Sequence, residues 1–507
     1  MAASHIGPDP ACTAEQLQSV RRTLRSPRRL KTEVLAGLVV ALALIPEAIA
    51  FSIIAGVDPR LGLFASFTMA VTIAFVGGRP AMISAATGAI ALVIAPLVAS
   101  HGVDYFIAAV ILAGIFQVIL GISGVAKLMR FIPRSVMVGF VNALAILIFM
   151  SQVPELLGVP WLVYPLVALG LVIVFGLPKV TRAVPAPLVA IVVLTVITIT
   201  AAIAVPTVGD KGELPKSLPT LFIPNVPFTL ETMQIIFPFG LAMAFVGLLE
   251  SLMTAKLVDD VTDTRSHKTR EAWGQGVANI VTGFTGGMGG CAMIGQTLIN
   301  VKASGARTRI STFLAGIFLL ILVVALGGVV ALIPMAALVA VMIFVSVVTF
   351  DWHSVQPSTL RRMPGSETTV MLATVIVTVW THNLAIGVGV GVLVAMVAFA
   401  RRVAHFVTIE RTEETINGER HATYTVNGEL FFASSNDLYT QFNYAKDPHK
   451  VIIDMHGSHL WDASTIAALD AIQEKYRSHR TEVKVVGLNE ASTLMRERLG
   501  GKLGAGH

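Results

Sequence analysis

Apolar runs of helical length alternate with short polar breaks at roughly 33–54, 59–76, 81–98, 104–124, 133–152, 161–178 and 186–205. They continue at 233–257, 273–284, 289–301, 308–331, 334–350, 367–382 and 384–400. Runs of about 17 to 25 residues span a bilayer as helices. The pattern therefore predicts fourteen segments, of which those at 81–98, 273–284 and 289–301 are short or interrupted by glycine. Beyond Arg402 the pattern changes. Residues 422–426 and 429–432 read as strands, 436–444 as a helix, 450–454 as a buried strand, 464–477 as an amphipathic helix, 482–486 as a strand and 491–499 as a last helix. That alternation predicts a small α/β domain. The expected organisation is a tail 1–30, membrane repeats 31–205 and 206–402, and a soluble domain 403–507.

Composition supports the membrane reading, since 54% of the 507 residues are hydrophobic and only 13% are charged. A mean hydropathy of +0.76 excludes an ordinary soluble protein. The net charge of +6 raises nucleic acid as a partner, but the basic residues sit in short loops between apolar runs and act there as topology signals. Loops after even-numbered segments hold Lys127, Arg130 and Arg134, then Lys179 and Arg182, Lys256 to Arg270, Lys302 to Arg309, Arg361 with Arg362, and Arg401 with Arg402. An even number of spans with a basic start predicts a multi-pass protein of the inner membrane with both termini in the cytoplasm. Only Cys12 and Cys291 are present, too few and too far apart for a disulfide framework or a thiolate metal site. No G-x-x-x-x-G-K-[ST] motif occurs, which disfavours an ATP-driven pump. No metal or cofactor is implied.

The two halves of the apolar region resemble each other. Pro133 and Pro334 lie 201 residues apart, Glu47 and Glu250 lie 203 apart, and a shift of 202 carries Gly88 and Ala89 onto Gly290 and Cys291. Seven segments per unit inverts the second copy, an arrangement found in secondary transporters with the site at the repeat interface. The fold expected is an all-α membrane domain of fourteen segments as a seven-plus-seven inverted repeat. Five glycines between Gly286 and Gly295 mark a break in the second half, and 80–89 is its counterpart in the first. Non-helical backbone within a membrane lines a cavity or is buried in protein. Helices restarting near Thr87, Gly88 and Ala89 and near Ala292, Met293 and Ile294 would meet an anion with N–H groups and helix dipoles. The alternative is close helix packing through small residues.

Glu47 and Glu250 each stand alone in an apolar segment, and an intramembrane carboxylate is by default functional. Glu250 shares a helix face with Thr254, which suits a proton or cation site. Either glutamate can instead serve structure, Glu47 by bonding backbone freed at Pro46. Thr87, Gln117, Gln296 and Thr297 are neutral hydrogen-bonders available to a cavity, and equally to helix–helix contacts. Asn142, Asn279 and Asn300 read as interhelical glue, and Asp259, Asp260 and Asp263 as a solvated run.

Ile45-Pro46-Glu47-Ala48-Ile49-Ala50-Phe51 with 55–64, and Glu271, Gly274-Gln275-Gly276, Asn279 and Gly286 through Asn300, resemble the signatures of the sulfate permease (SulP) family. The tail is similar to that family's STAS domain. The resemblance implies a core domain moving against a gate domain, a substrate site between the third and tenth segments, and a homodimer. The residues expected at the substrate are Phe51, Thr87, Gly88, Ala89, Ala292, Met293, Ile294 and Gln296, with Glu250, Glu47 and Thr254 expected at the coupling ion. Gln296 stands where many eukaryotic members carry arginine. Glu250 stands where sodium-coupled bicarbonate members carry aspartate beside a threonine corresponding to Thr254, which favours protons over sodium. Ala463 stands where related regulators carry a phosphorylatable serine. The function expected is proton-coupled symport of a small carboxylate, dicarboxylate or sulfate. The alternatives are sodium-coupled bicarbonate symport, an uncoupled anion channel or sensor, and nucleobase carriage; an enzyme is not expected.

Overall fold

The computed structural model describes residues 19–124, 132–180, 185–404, 407–416 and 419–500. Cys12, Lys127, Arg130 and Arg182 lie outside them. Two compact units divide between Val392 and Leu393, inside the last apolar helix.

In the first unit the apolar runs form helices, and proline and glycine set their limits. Helix α1 (Pro27–Ala55) and α2 (Pro59–Val76) both start on proline, whose missing N–H costs nothing in a first turn. α1 ends at Gly56, which takes the left-handed conformation with φ 75°. Helix α3 (Gly88–Ile122) merges the third and fourth expected segments across a kink at Gly102, φ 81°. The first residues expected in that third segment are not helical; Ser84–Ala85 forms a short strand, β1. Then follow α4 (Arg134–Gln152), α5 (Val163–Val180) and α6 (Ala186–Thr200). The second half repeats the order: α7 (Leu230–Thr262), α8 (Lys268–Phe284), β2 (Cys291–Ala292) and the short α9 (Ile294–Leu298), which a π-type turn extends to Ala303. It closes with α10 (Arg309–Ala331), α11 (Met335–Thr349), α12 (Gly365–Thr381) and α13 (Leu384–Ala404). Among the described residues eight helices are long and apolar enough to cross a membrane, and 186–200 and 335–349 are shorter apolar ones. The uniform offset of 202 slips at the breaks, because helix resumes at Gly88 in one half and at Ile294 in the other.

Helices α1, α2, α3, α7, α8 and α10 pack on one another, and α4, α5, α6, α11 and α12 form a second group. Lipid tails are as apolar as leucine, so close approach and hydrogen bonds hold such helices together. Gly114 of α3 meets Gly276 of α8 so tightly that a Cβ on Gly276 would stand 2.5 Å from the Gly114 carbonyl oxygen. Polar side chains clamp the helix ends. Glu33 accepts from the N–H groups of Arg307, Thr308 and Ser311 at 2.8 to 3.1 Å and so secures the start of α10. Asp259 is not solvated as expected; it pairs with buried Arg79 at 3.1 Å and with Lys268 at 2.8 Å. The reason lies in the 77–80 loop, which Glu271 holds by the Gly78 and Arg79 amides at 2.7 and 2.9 Å.

The second unit carries a four-stranded sheet in the order β3 (Thr408–Ile416), β4 (Glu419–Leu430), β5 (Lys450–Leu460) and β6 (Glu482–Val486). β3 and β4 are antiparallel and the other pairs parallel. Helices α14 (Phe432–Thr440), α15 (Ala463–Ser478) and α16 (Glu490–Leu499) complete it. Two expectations are corrected. Residues 422–432 do not hold two strands: β4 runs through with a register shift between Thr425 and Asn427, and α14 begins at Phe432, ahead of the helix expected from 436. β3 was not expected, because its charged sequence lacks the apolar alternation of a half-buried strand. In the core, the fully buried carboxylate of Asp447 accepts from Arg411 at 2.7 and 2.9 Å, from Tyr424 at 2.7 Å and from Tyr476. Burial, then this bond, pushes the Tyr476 phenol up, so it donates as a neutral O–H.

Two outcomes test these supports. Asp447→Ala leaves two buried phenols and a partly exposed guanidinium without this acceptor, and should cost about 2 to 3 kcal/mol; loss of a separate low-temperature transition in calorimetry of the full chain is expected. In Gly290→Ala the new methyl would lie 2.0 Å from the Ala85 carbonyl oxygen, whereas one on Gly295 meets nothing within 4 Å. Thermal melts in detergent should therefore fall for Gly290→Ala and stay unchanged for Gly295→Ala.

Candidate functional site

The two glycine-broken segments meet head to head. β1 pairs antiparallel with β2, Ser84 opposite Ala292 and Ala85 opposite Cys291. α3 then starts at Gly88 behind Thr87 as N-cap, and α9 starts at Ile294 behind Met293. Extended backbone buried among helices needs a partner for every polar group, and side chains supply most of them. Asn279 receives the Gly290 N–H at 2.9 Å and donates to its carbonyl at 3.0 Å. Gln275 donates to Ser84 at 2.7 Å, Asn300 to the Ala81 carbonyl at 2.8 Å, and Thr312 to the Met82 carbonyl at 3.1 Å. Thr297 receives the Ile83 N–H at 3.0 Å, and Gln117 takes a hydrogen bond from Asn279 at 2.8 Å. Thr297 and Gln117 thus brace the crossing, as Asn279 and Asn300 do.

Around this crossing the structure gathers several of the expected site residues. Glu250 on α7 and Glu47 on α1 are both buried. The Glu250 carboxylate accepts from the Cys291 thiol at 2.9 Å, and that sulfur lies 3.1 Å from the Thr87 hydroxyl. Glu47 faces the Gln296 amide. Phe51 packs on Gly88, where a Cβ would stand 2.9 Å from its ring, and Ala89 is fully buried behind it.

Other expected residues are turned elsewhere. The Thr254 hydroxyl donates to the Glu250 main-chain carbonyl at 2.7 Å rather than to its carboxylate. The Ala292 N–H is taken by Ser251 at 3.1 Å and the Met293 N–H by Ile83 at 2.9 Å. The first N–H groups of a helix have no partner within it, so the free donors at the second helix start are those of Ile294, Gly295 and Gln296. Gly295 is exposed, which leaves open space before that helix start.

Cys291 was missed by sequence reasoning, although its place inside the glycine break marked it. Ser251 and the Arg79–Asp259 pair left no comparable signal, since their partners are distant in sequence. A cavity of about 260 Å³ elsewhere is lined by Phe64, Ile107, Lys216 and Gly286, with Arg60 and Glu213 paired across it at 3.2 Å. Its lining reaches the break at Gly286 but includes neither β1 nor β2, and neither Glu47 nor Glu250.

The model of the sulfate permease family matches residues 30–168 and 161–374, and that of the STAS domain matches 411–500. A "putative sulfate transporter", YbaR of Bacillus subtilis, is 54% identical over 92% of this chain and 97% of its own length. The bicarbonate transporter BicA of Picosynechococcus is 26% identical over 91% of this chain and 89% of its own. Among solved structures, murine Slc26a9, an anion transporter in the inward-facing state, superposes with a TM-score of 0.80 at 17% identity over 99% of this chain and 92% of its own, a likeness of fold alone. With its family model covering both halves of the membrane unit and a STAS domain behind them, the chain belongs to the sulfate permease family and is a multi-pass membrane transporter of anions.

Proposed function

We propose that this protein imports a small oxyanion together with protons by alternating access. The anion is sulfate or a small carboxylate or dicarboxylate. The observation that carries the reading is the buried Glu250 carboxylate, held through Cys291 to Thr87, the residue that opens α3. A helix N-terminus attracts an anion through its unpaired N–H groups and its dipole. Thr87, Gly88 and Ala89 on one side and Ile294, Gly295 and Gln296 on the other supply those groups. Phe51 closes the apolar side, and Glu47 beside Gln296 is the second carboxylate near the substrate. Protonation of Glu250 removes a negative charge that would repel the anion, so the two are bound together and released together.

The relative named as a putative sulfate transporter, at 54% identity, supports sulfate. Relatives named bicarbonate transporters keep sodium-coupled bicarbonate uptake as the second reading. Thr254 donates its hydroxyl hydrogen to the Glu250 main-chain carbonyl and not to the carboxylate that would carry the proton. Transport follows from the α1, α2, α3, α7, α8 and α10 group sliding against the α4, α5, α6, α11 and α12 group. In this reading the chain is a homodimer of the inner membrane with both termini cytoplasmic.

Proteoliposomes loaded at alkaline pH, diluted into acid medium with the potential clamped, should accumulate radiolabelled sulfate or a C4-dicarboxylate. One pH unit supports about tenfold accumulation per coupled proton. Glu250→Gln should abolish the accumulation and leave exchange without a gradient. Uptake of bicarbonate driven by sodium alone would establish the second reading, and proton-driven accumulation intact in Glu250→Gln would remove Glu250 from the mechanism. Downhill flux with no accumulation under either gradient would identify an uncoupled channel or a sensor.

A further inference from the structure

We infer that Cys291 is a positioning residue that passes the protonation state of Glu250 to the anion through Thr87. The inference rests on the reading of Glu250 as the proton site. Three side chains from three elements form the chain: the Glu250 carboxylate on α7, the Cys291 thiol on β2, and the Thr87 hydroxyl before α3. Their spacings are 2.9 Å from carboxylate to sulfur and 3.1 Å from sulfur to hydroxyl. The Thr87 oxygen also receives the Ile90 N–H at 3.4 Å, so it belongs to the first turn of α3. All three side chains are buried, and both spacings are those of direct bonds.

A thiol has one hydrogen, and that fixes the logic. With Glu250 ionised, the carboxylate only accepts. The Cys291 S–H points to it, and the Thr87 O–H then donates to the sulfur. With Glu250 protonated, its O–H donates to the sulfur, the S–H turns to the Thr87 oxygen, and the Thr87 O–H is released. The added proton stays on Glu250; Cys291 and Thr87 keep their own hydrogens and only reorient. The released hydroxyl stands at the start of α3 beside the free N–H groups of Gly88 and Ala89, where it donates to the anion. Protonation therefore adds a hydrogen bond to the bound anion, and loss of the proton withdraws it. An oxyanion, which accepts strongly, gains from this.

Other charged groups on the elements packed against α7 are engaged elsewhere. On α8, Lys268 pairs with Asp259, Arg270 donates to the Phe75 and Val76 carbonyls, and Glu271 accepts from the Gly78 and Arg79 amides. On α3, His101 and Asp104 lie at the Gly102 kink, where they bond Ser100 and Asn225. Glu47 on α1 faces Gln296. On α7 itself Glu231 and Lys256 are exposed, and Asp260 lies beyond Lys256 toward the helix end.

The test measures KM and maximal rate of proton-driven uptake of radiolabelled sulfate, or of a C4-dicarboxylate if sulfate is not carried, from pH 5 to 8 in proteoliposomes of the full chain. Wild type, Cys291→Ala, Cys291→Ser, Thr87→Val and Glu250→Gln are compared, with melting curves confirming that each is folded. Loss of one charge-assisted hydrogen bond corresponds to about a tenfold change in affinity. Cys291→Ala and Thr87→Val should raise KM at acid pH about tenfold and flatten its pH dependence, while the maximal rate changes little. Cys291→Ser, which keeps one hydrogen and an acceptor, should restore the pH-dependent KM. If Cys291→Ala keeps the wild-type profile while Glu250→Gln loses coupling, the relay is wrong and the proton site stands. If Glu250→Gln keeps coupled uptake, the proton site fails and the relay with it. An equal loss of rate at every pH in both Cys291 variants would mark a purely structural role and overturn the proposal.

Discussion

The constraint on which the structure depends is that peptide groups removed from water need hydrogen-bond partners. Two apolar segments leave the helix at the same place, at 81–87 and at 286–293, and between them expose backbone that no helix satisfies. Part of the answer is main chain, since β1 and β2 pair with each other. The rest is a shell of amides and hydroxyls from surrounding helices: Asn279, Asn300, Ser251, Thr297 and Thr312. An unmet buried amide or carbonyl costs about 1 to 3 kcal/mol, so each of these polar residues has a structural reason to lie in an otherwise apolar bundle.

That scaffold separates residues that hold the crossing from residues left over at its ends. Asn279 bonds the Gly290 backbone and Gln117, and Thr297 bonds the Ile83 backbone. Glu250, Thr87 and Cys291 bond to one another instead, in a place where carboxylate, thiol and hydroxyl can exchange donor and acceptor roles. The same division appears at the helix ends, where Glu33, Glu271 and Asp259 are fully engaged with amides and basic side chains. Charge there fastens loops; at the crossing it remains available.

The second unit is built on different physics. A mixed sheet with helices buries a continuous apolar core, around one satisfied carboxylate, Asp447. Asp462 caps α15 by accepting the Thr465 N–H at 3.0 Å, and Ala463 follows it in the exposed first turn.

Much of this was legible in the chain itself, because hydropathy acts locally. A run of about twenty apolar residues reads as a membrane helix wherever it lies, so the segments and the breaks at Gly88 and Ile294 followed from pattern, as did the isolation of Glu47 and Glu250. The soluble unit was read less well at its edge: β3 carries charge along its length and is recognisable only by its pairing with β4. Tertiary structure alone decided which polar residues serve the backbone. Thr254 and Glu250 share a helix face, yet the hydroxyl is committed to its own helix. Asp259 looked solvated until Arg79 arrived from another segment. Cys291 was not among the candidates, and only the meeting of β1 with β2 set it between Glu250 and Thr87. A hydrogen bond joins residues some 200 positions apart only once the fold has brought them together, so sequence could name the candidates and only the fold could pair them.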